Sequence, residues 1–175
     1  MTSSPEVRRL ATVSPQQLEQ LADVLIDCVE GGASVSFMHP LSRAKAQAFW
    51  QRVADGVARG ERALLVAELQ GRIVGTVQLV MDLPENQPHR ADLSKMLVQR
   101  SARRLGLGAA LLQAADRVAV ECGKTLLVLD TASDEAARLY ARQGWVECGS
   151  VPDYALLPQG GCCATTFFYK RLHGA

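Results

Sequence analysis

Apolar positions recur along this chain with two different periods, and the changes of period predict alternating helices and strands. Apolar residues spaced three and four apart follow Ser14 and Ser42, both suited to cap a helix, and Gly31 and Gly60 end these segments. Shorter apolar runs without that spacing are typical of strands. The predicted strands cover residues 7–10, 63–69, 72–81, 90–98, 126–130, 145–151 and 165–172, and two further helices cover 106–122 and 134–143.

The order of these elements is β-α-α-β-β-β-α-β-α-β-β, with one β-α-β unit in the middle. Tight turns such as Gln70-Gly71 predict antiparallel hairpins, whereas a helix between two neighbouring strands is typical of a parallel pair. We therefore expect one α/β (α+β) domain over residues 1–175. Its mixed, mostly antiparallel sheet should have about seven strands, with four helices packed on it.

Composition narrows the classes of function. The 175 residues are 48% hydrophobic and 21% charged, which is ordinary for a globular protein, and the net charge of +1 argues against a nucleic-acid-binding protein. Five cysteines without a C-x-x-C pair, and three separated histidines, support neither a disulfide framework nor a metal site. The amino terminus lacks a signal-peptide pattern and no apolar run reaches the length of a membrane span. We expect a cytoplasmic protein without a membrane partner.

The strongest local chemical signal is the hexapeptide R-R-L-G-L-G at residues 103–108, placed between a predicted strand and a predicted helix. Glycines let a backbone approach a ligand closely, and the free N–H groups of a first helical turn attract an anion. The segment predicts a pyrophosphate cradle, while a tight turn with a solvated basic flank is the alternative. A dinucleotide-binding fingerprint does not fit, because Leu111 stands where a third small residue is needed, and the P-loop motif is absent.

The same hexapeptide resembles the acyl-CoA signature [QR]-x-x-G-x-[GA] of the GNAT superfamily of N-acetyltransferases. Residues 136–145, with A-A-R-L-Y followed by G-W, resemble the A-x-x-[LF]-Y-x-x-x-G-[FW] helix of that superfamily. The predicted element order is also that of the superfamily, so the resemblance covers nearly the whole chain. Residues 31–35, 90–98 and 129–131 look most similar to the tabtoxin-resistance type of acetyltransferase.

This resemblance implies that acetyl-CoA is the co-substrate. Backbone N–H groups of the cradle would hold the CoA pyrophosphate, and Arg100, Arg103 or Arg104 is a candidate for the 3′-phosphate. The end of the strand at Leu97 and Val98 would pair with the pantetheine arm. The implied cofactor-binding residues are Leu97, Val98, Arg103, Arg104, Leu105, Gly106, Leu107, Gly108 and Ala109.

Three side chains are candidates for catalysis. Tyr140 would protonate the leaving thiolate by the resemblance; the alternative is a core aromatic residue. Transfer to an amine also needs a general base. Asp92, on the central strand, is the first choice, with a salt-bridged strand residue as the alternative. Asp130 ends an apolar strand and is the second choice, with a cap for the turn at residues 131–133 as its alternative.

The resemblance implies an acceptor that is a small-molecule amine, either amino-acid-like or like a toxin or antibiotic, and hence a role in resistance. A protein lysine or amino terminus as acceptor is one alternative, and a non-catalytic acyl-CoA sensor is another. Acceptor choice would depend on the loops at residues 31–41, 82–89 and 152–161. Dimers are common in the superfamily, so a homodimer is a further expectation.

Overall fold

The computed structural model describes residues 5–173, and the regular elements within them follow the predicted order. The strands are β1 (Glu6–Leu10), β2 (Arg62–Leu69), β3 (Arg72–Val80), β4 (Arg90–Val98), β5 (Leu126–Thr131), β6 (Val146–Leu156) and β7 (Cys162–Arg171), and the helices are α1 (Pro15–Glu30), α2 (Arg43–Ala58), α3 (Leu107–Glu121) and α4 (Asp134–Arg142). The strands form one sheet in the order β1-β2-β3-β4-β5-β7-β6, in which only β4 and β5 are parallel. The predicted fold class, a mixed and mostly antiparallel seven-stranded sheet with four helices, is confirmed.

Both amino-terminal helices begin at the serines that the sequence predicts. The Ser14 hydroxyl accepts the Gln17 backbone N–H at 3.2 Å, and the Gln17 side chain accepts the Ser14 N–H at 2.8 Å. This reciprocal pair satisfies two N–H groups that the first turn of a helix leaves free. Ser42 caps α2 through its hydroxyl alone, which accepts the Lys45 N–H at 3.2 Å.

The sheet separates two hydrophobic cores. Helices α1 and α2 cover one face, here called the α1–α2 face, where Trp50 and Leu64 are fully buried. Helices α3 and α4 cover the opposite α3 face, where Leu65 and Leu111 are buried. Neighbouring residues of one strand point to opposite faces, so Leu64 and Leu65 of β2 belong to different cores. Within residues 5–173, no helix is both long and apolar enough to cross a membrane.

The two parallel strands separate in the middle of the sheet. Pairing between β4 and β5 covers only the three residues from Arg90 to Asp92. Strand β4 then continues to Val98 and β5 to Thr131 without further pairing to each other. Their carboxyl halves therefore leave an opening, here called the cleft, which lies beside the start of α3.

Strand β6 differs most from the prediction, because it runs on to Leu156 instead of ending at residue 151. It contains Pro152, which lacks an N–H, but β6 is the edge strand and needs no donor on its outer side. The pairing register with β7 shifts between Val151 and Ala155, which accommodates the proline. Strand β7 correspondingly starts at Cys162 rather than at residue 165, so the connecting loop shrinks to residues 157–161.

Candidate active site

The amino terminus of α3 presents unpaired backbone donors at the cleft. Gly106 caps this helix with a positive φ of 76°, and Arg104 is also left-handed with φ 64°. The first bond into the helix runs from the Ala110 N–H to the Gly106 carbonyl at 3.1 Å. The N–H groups of Leu107, Gly108 and Ala109 therefore lack helical partners, and no side chain caps them. This geometry fits the phosphate oxygens of a CoA pyrophosphate.

The two glycines of the cradle have different structural reasons. A Cβ at Gly106 would meet nothing within 4 Å, so the glycine is needed there for its positive φ. A Cβ at Gly108 would lie 2.8 Å from a methyl carbon of Leu139, a residue of α4. Gly108 thus lets α4 pack closely on the first turn of α3, and this contact brings the neighbouring Tyr140 toward the cradle.

The three arginines beside the cradle have different partners. Arg100 is tied to α1, because its backbone N–H and its Nε contact the Asp27 carboxylate at 2.8 and 3.0 Å. The Nε of Arg103 donates to the Val98 carbonyl at 3.4 Å. Arg104 is exposed and makes no ion pair or side-chain hydrogen bond within the described residues. Of the three, Arg104 is the one available to a phosphate without breaking an existing contact.

Alternation along β4 decides which backbone groups face the cleft. The Gln99 N–H donates to the Val74 carbonyl of β3 at 2.8 Å, and Leu97 is the register partner of Thr76. Bonded and non-bonded pairs alternate in an antiparallel ladder. The backbone groups of Leu97 consequently turn to β3, whereas those of Met96 and Val98 turn toward the cleft.

Cys28 of α1 supports the end of β4 and is not a reactive thiol. Its Sγ donates to the Val98 carbonyl at 3.5 Å. Burial is the main cause that raises the pKa of Cys28 to about 11, so the thiol stays protonated near neutral pH. All five cysteines are unpaired in the structure.

Tyr140 is a core residue whose hydroxyl remains free. It is 5% exposed, and its ring centroid lies 5.9 Å from those of both Trp145 and Phe168. No hydrogen bond holds its hydroxyl within the described part of the chain. Burial, with a smaller contribution from the Asp130 carboxylate, raises the pKa of Tyr140, so the phenol keeps its proton.

The two candidate carboxylates lie at different depths of the cleft. Asp92 is the last residue of β4 that pairs with β5, and its carboxylate is bonded to the Arg90 guanidinium. Asp130 lies on the unpaired half of β5, where its Oδ2 accepts the Thr165 hydroxyl at 2.6 Å. Thr131 rather than Asp130 caps the following turn, because its Oγ1 accepts the Ser133 N–H at 3.1 Å. Of the two carboxylates, only Asp130 is near enough to Tyr140 to contribute to the raised pKa of its phenol, and no hydrogen bond joins these two side chains within the described residues.

Lys95 is a charged residue of β4 to which the sequence alone assigns no catalytic or binding role. It occupies a bulge of β4, with φ 52°, where the register shifts between Thr76 and Gln78. Its Nζ donates to Ser36 at 3.1 Å and lies 5.8 Å from the Phe49 ring centroid. Burial lowers the pKa of Lys95, and Asp130 opposes that shift. In the sequence, Lys95 could have been noticed as the one charged residue among residues 93–98, the end of β4.

Two of the three predicted acceptor loops meet above the cleft. The His39 N–H donates to the Pro158 carbonyl at 2.9 Å, and the Ser34 hydroxyl donates to the Leu156 carbonyl at 3.4 Å. Residues 31–41 therefore rest on the β6–β7 hairpin. The third loop, residues 82–89, leads into the amino end of β4, where the His89 carbonyl accepts the Thr125 N–H at 2.8 Å. It lies at the closed end of the parallel pair and not at the cleft.

Comparison with known proteins identifies this arrangement. Residues 20–145 match the Acetyltransferase (GNAT) family. The chain belongs to the GNAT family. It is 32% identical over 126 residues to the uncharacterised N-acetyltransferase in the hisH–hisA intergenic region of Azospirillum brasilense, which covers 71% of this chain and 73% of that protein.

Solved GNAT structures share the whole fold. The ribosomal-protein-alanine N-acetyltransferase from Brucella melitensis is 25% identical with a TM-score of 0.78, over 95% of this chain and 99% of that one. The phosphinothricin acetyltransferase from Sinorhizobium meliloti, solved in complex with acetyl-CoA, is 17% identical with a TM-score of 0.81, over 99% of this chain and 91% of that one. The second likeness establishes fold only.

This GNAT chain is an acetyl-CoA-dependent N-acetyltransferase. Acetyl-CoA is the co-substrate of the family, and the free donors at the start of α3 fit its pyrophosphate. Among residues 5–173, His, Cys, Asp and Glu side chains form no group of three or more that could hold a metal ion.

Proposed function

We propose that this enzyme acetylates the amine of a small, amino-acid-like molecule by direct attack of the amine on the thioester. One observation supports the proposal: the same cleft has unpaired anion-binding donors at α3 and, on the unpaired half of β5, a carboxylate that contributes, after burial, to the raised pKa of an unbonded phenol. Acceptor deprotonation and leaving-group protonation need these two kinds of group. The tabtoxin-resistance type, and with it a role against a toxin or antibiotic, is the finer form of the proposal.

The cofactor side has these proposed roles. When bound, acetyl-CoA supplies the acetyl group as a thioester. The backbone N–H groups of residues 105–109 hold the pyrophosphate, with Arg103 and Arg104 at the phosphates. The cleft-facing backbone of Val98, together with Met96, pairs with the pantetheine arm. The buried Leu97 side chain anchors the strand end in the α1–α2 core.

Asp130 is the proposed proton acceptor for the substrate ammonium. One of its oxygens accepts the Thr165 hydroxyl, and the other has no hydrogen bond within the described residues. Asp92 is the second candidate, because a substrate ammonium there must compete with the guanidinium of Arg90. These contacts support placing Asp130 before Asp92, whereas the sequence alone places Asp92 first.

Tyr140 is the proposed donor to the CoA sulfur as the carbon–sulfur bond breaks. An ordinary tyrosine has a pKa of about 10 and a thiol about 8.5, so a tyrosine with a raised pKa is the weaker acid. Its main effect is therefore a hydrogen bond to the developing thiolate, with the final proton supplied through exchange with solvent. The substrate ammonium gives its first proton to Asp130, which releases it to solvent, and the second proton, lost by the nitrogen after attack, balances the one taken up by the thiolate.

A protein amino terminus is the second candidate acceptor, because the similar Brucella melitensis protein is a ribosomal-protein-alanine N-acetyltransferase by name. The loop contacts that close the α1–α2 side of the cleft favour the small molecule.

We further propose a single acetyltransferase domain over residues 1–175, a cytoplasmic location and a homodimer. The long exposed edge strand β6, with Val151 and Tyr154 outward, is the proposed dimer surface.

Thiol release from acetyl-CoA tests the proposal. Purified protein is offered matched amounts of amino acids, amino-acid-like toxins, simple amines and peptides with free amino termini or lysines. Release that is fastest with the amino-acid-like compounds supports the proposal, and release confined to peptides favours the protein acceptor. Tight CoA binding without release for any amine contradicts the enzyme and supports a sensor.

A further inference from the structure

Two cations on the α1–α2 face lack a carboxylate partner. Arg62, at the start of β2, donates from Nη1 to the Gln78 side-chain oxygen at 2.9 Å. Its stem lies against α2, where a Cβ at Gly56 would be 3.0 Å from the Arg62 Cδ. Lys95 has only the Ser36 hydroxyl and the face of Phe49. Neither cation makes an ion pair within residues 5–173.

Gln78 lies on β3, the strand between those that carry Arg62 and Lys95, and its amide nitrogen has no hydrogen-bond partner. It is 0% exposed, and its register partner on β4 is Ser94, which precedes Lys95. Its Oε1 accepts from Arg62, whereas its Nε2 is buried without any partner. An unsatisfied buried donor costs about 1–3 kcal/mol, and few such groups survive in native proteins. The Gln78 amide therefore has a donor that an acceptor atom of a ligand can use.

The three side chains have free donors and no free acceptor. Arg62 has remaining guanidinium N–H groups, Gln78 has its amide NH₂, and Lys95 has its ammonium. The nearby carboxylates do not complete this set, because Glu61 is bonded to Arg59 and Asp92 to Arg90, and Asp130 makes no ion pair with either cation within the described residues. A donor-only set with two positive charges fits the two oxygens of a carboxylate.

The position of Lys95 links this donor set to the site proposed for acetyl transfer. Asp130 opposes the burial that lowers the pKa of Lys95, so one member of the donor set lies near the proposed base. Arg62 and Phe49 also line an open depression of about 360 Å³ between α2 and β2, together with Asp55 and Glu61. The guanidinium is therefore accessible from solvent.

We propose that Arg62, Gln78 and Lys95 bind a carboxylate of the acceptor, so that the preferred substrate is an amine that also carries a carboxylate. The inference rests on the proposed function and deepens it. A substrate with both groups would place its ammonium at Asp130 and its carboxylate at the donor set. An amine without the carboxylate would leave the Gln78 amide unsatisfied.

Paired substrates test the carboxylate directly. Each amino acid is compared with its own carboxamide, which keeps size and amine but removes the negative charge. Wild-type enzyme should prefer the acid by at least about 10-fold in kcat/KM, the value of one charge-assisted hydrogen bond. Arg62→Met and Gln78→Met should each raise the KM of the acid by about 10–100-fold, with the kcat and the CoA affinity little changed. Arg62→Lys should keep part of the preference.

Arg72→Met is the matched control, because Arg72 is an exposed arginine at the far end of the β2–β3 hairpin. It should change neither the acid nor the carboxamide kinetics. Thermal unfolding of each variant separates a lost contact from a lost fold, and Gln78→Met remains available if Arg62→Met does not fold. Equal turnover of acid and carboxamide by the wild type overturns the carboxylate site while leaving the acetyltransferase intact.

Binding of reaction products gives a readout that does not depend on turnover. N-acetyl amino acids and their carboxamides are titrated by calorimetry into CoA-loaded protein. Acid-selective binding that Arg62→Met abolishes supports the site even if no amine in the panel is acetylated, in which case the proposed function alone fails. Unselective or absent product binding overturns the site.

Discussion

The two walls of the cleft are built in opposite ways. The cofactor wall uses backbone groups: free N–H groups at the start of α3 and the open edge of β4. The proposed acceptor wall uses side chains from separate strands: Arg62, Gln78, Lys95, Asp130 and Thr165. Backbone groups are the same in every residue, so a short turn motif is enough to place them. The acceptor wall exists only because distant parts of the sequence meet, and this explains why cofactor chemistry is readable while acceptor identity is not.

The largest expected effect comes from breaking the cofactor wall at Gly106. Gly106→Val puts a β-branched residue at φ 76° and should rotate the first turn of α3 away from its present course. Loss of two charge-assisted hydrogen bonds would weaken CoA binding by about 10²–10⁴-fold. Calorimetric titration of CoA measures this loss.

Gly123→Val is the control for that variant. Gly123 follows the other end of α3, has a φ of 72°, and has open space around a Cβ, as Gly106 does. Both variants should therefore lose similar stability, about 1–2 kcal/mol, while only Gly106→Val affects CoA. Equal CoA affinity in two folded variants would remove Gly106 from the cofactor site.

The next-largest expected effect shows which of the two candidate carboxylates, Asp130 or Asp92, acts as the base. Asp130→Asn keeps the size of the side chain but removes the proton acceptor, and should lower kcat/KM by about 10²–10³-fold at pH 7. The loss should shrink as the pH rises, because more of the amine then arrives without its extra proton. Asp92→Asn should lower kcat/KM less, since it releases Arg90 and leaves Asp130 unchanged. Full activity of Asp130→Asn with an inactive Asp92→Asn would restore the ranking made from the sequence.

A smaller effect is expected where the two walls meet, at Tyr140. Tyr140→Phe should lower kcat by about 10–10²-fold with little change in the KM for acetyl-CoA. Stability should hold, because the hydroxyl has no hydrogen bond to lose within the described residues and the ring contacts with Trp145 and Phe168 remain. Tyr169→Phe, a change on β7 outside the cleft, is the matched control for kcat. Normal turnover of Tyr140→Phe would leave Tyr140 as a core residue only.

The contrast between the walls also explains how far the sequence could predict the molecule. Capping serines, glycine stops and apolar periods predict local structure, so the element order and the cradle at Gly106 follow from short segments. The extension of β6 through Pro152 was missed, because an edge strand tolerates a proline that a central one would exclude. Lys95 and Gln78 were missed because a bulge and a buried amide depend on partners on other strands.

The last and smallest expected effect concerns the free energy of unfolding. It tests whether a residue of the proposed acceptor wall makes the folded protein less stable. Lys95 is surrounded by Arg62, Asp130, Ser36 and Phe49, and burial is the main cause that lowers its pKa. The folded protein thus disfavours this ammonium relative to the unfolded chain. Lys95→Met should stabilise the protein without ligand by about 0.5–2 kcal/mol, as single stabilising substitutions do, while raising the KM for a carboxylate-bearing acceptor.

The stabilisation expected from Lys95→Met should depend on pH, because it comes from the lowered pKa of Lys95. A lysine whose pKa is lower in the folded protein weakens it fully at a pH below that folded pKa, and the penalty fades as the pH rises toward the ordinary value near 10.4. The difference in unfolding free energy between Lys95→Met and the wild type should therefore be constant near neutral pH and shrink in alkaline solution. Lys45→Met is the control, because Lys45 is exposed and lies 6.0 Å from the Phe37 ring centroid. A Lys95→Met variant that is destabilised at pH 7 would mean that the ammonium contributes to the fold itself, and that the acceptor wall, like the cofactor wall, is stable without its ligand.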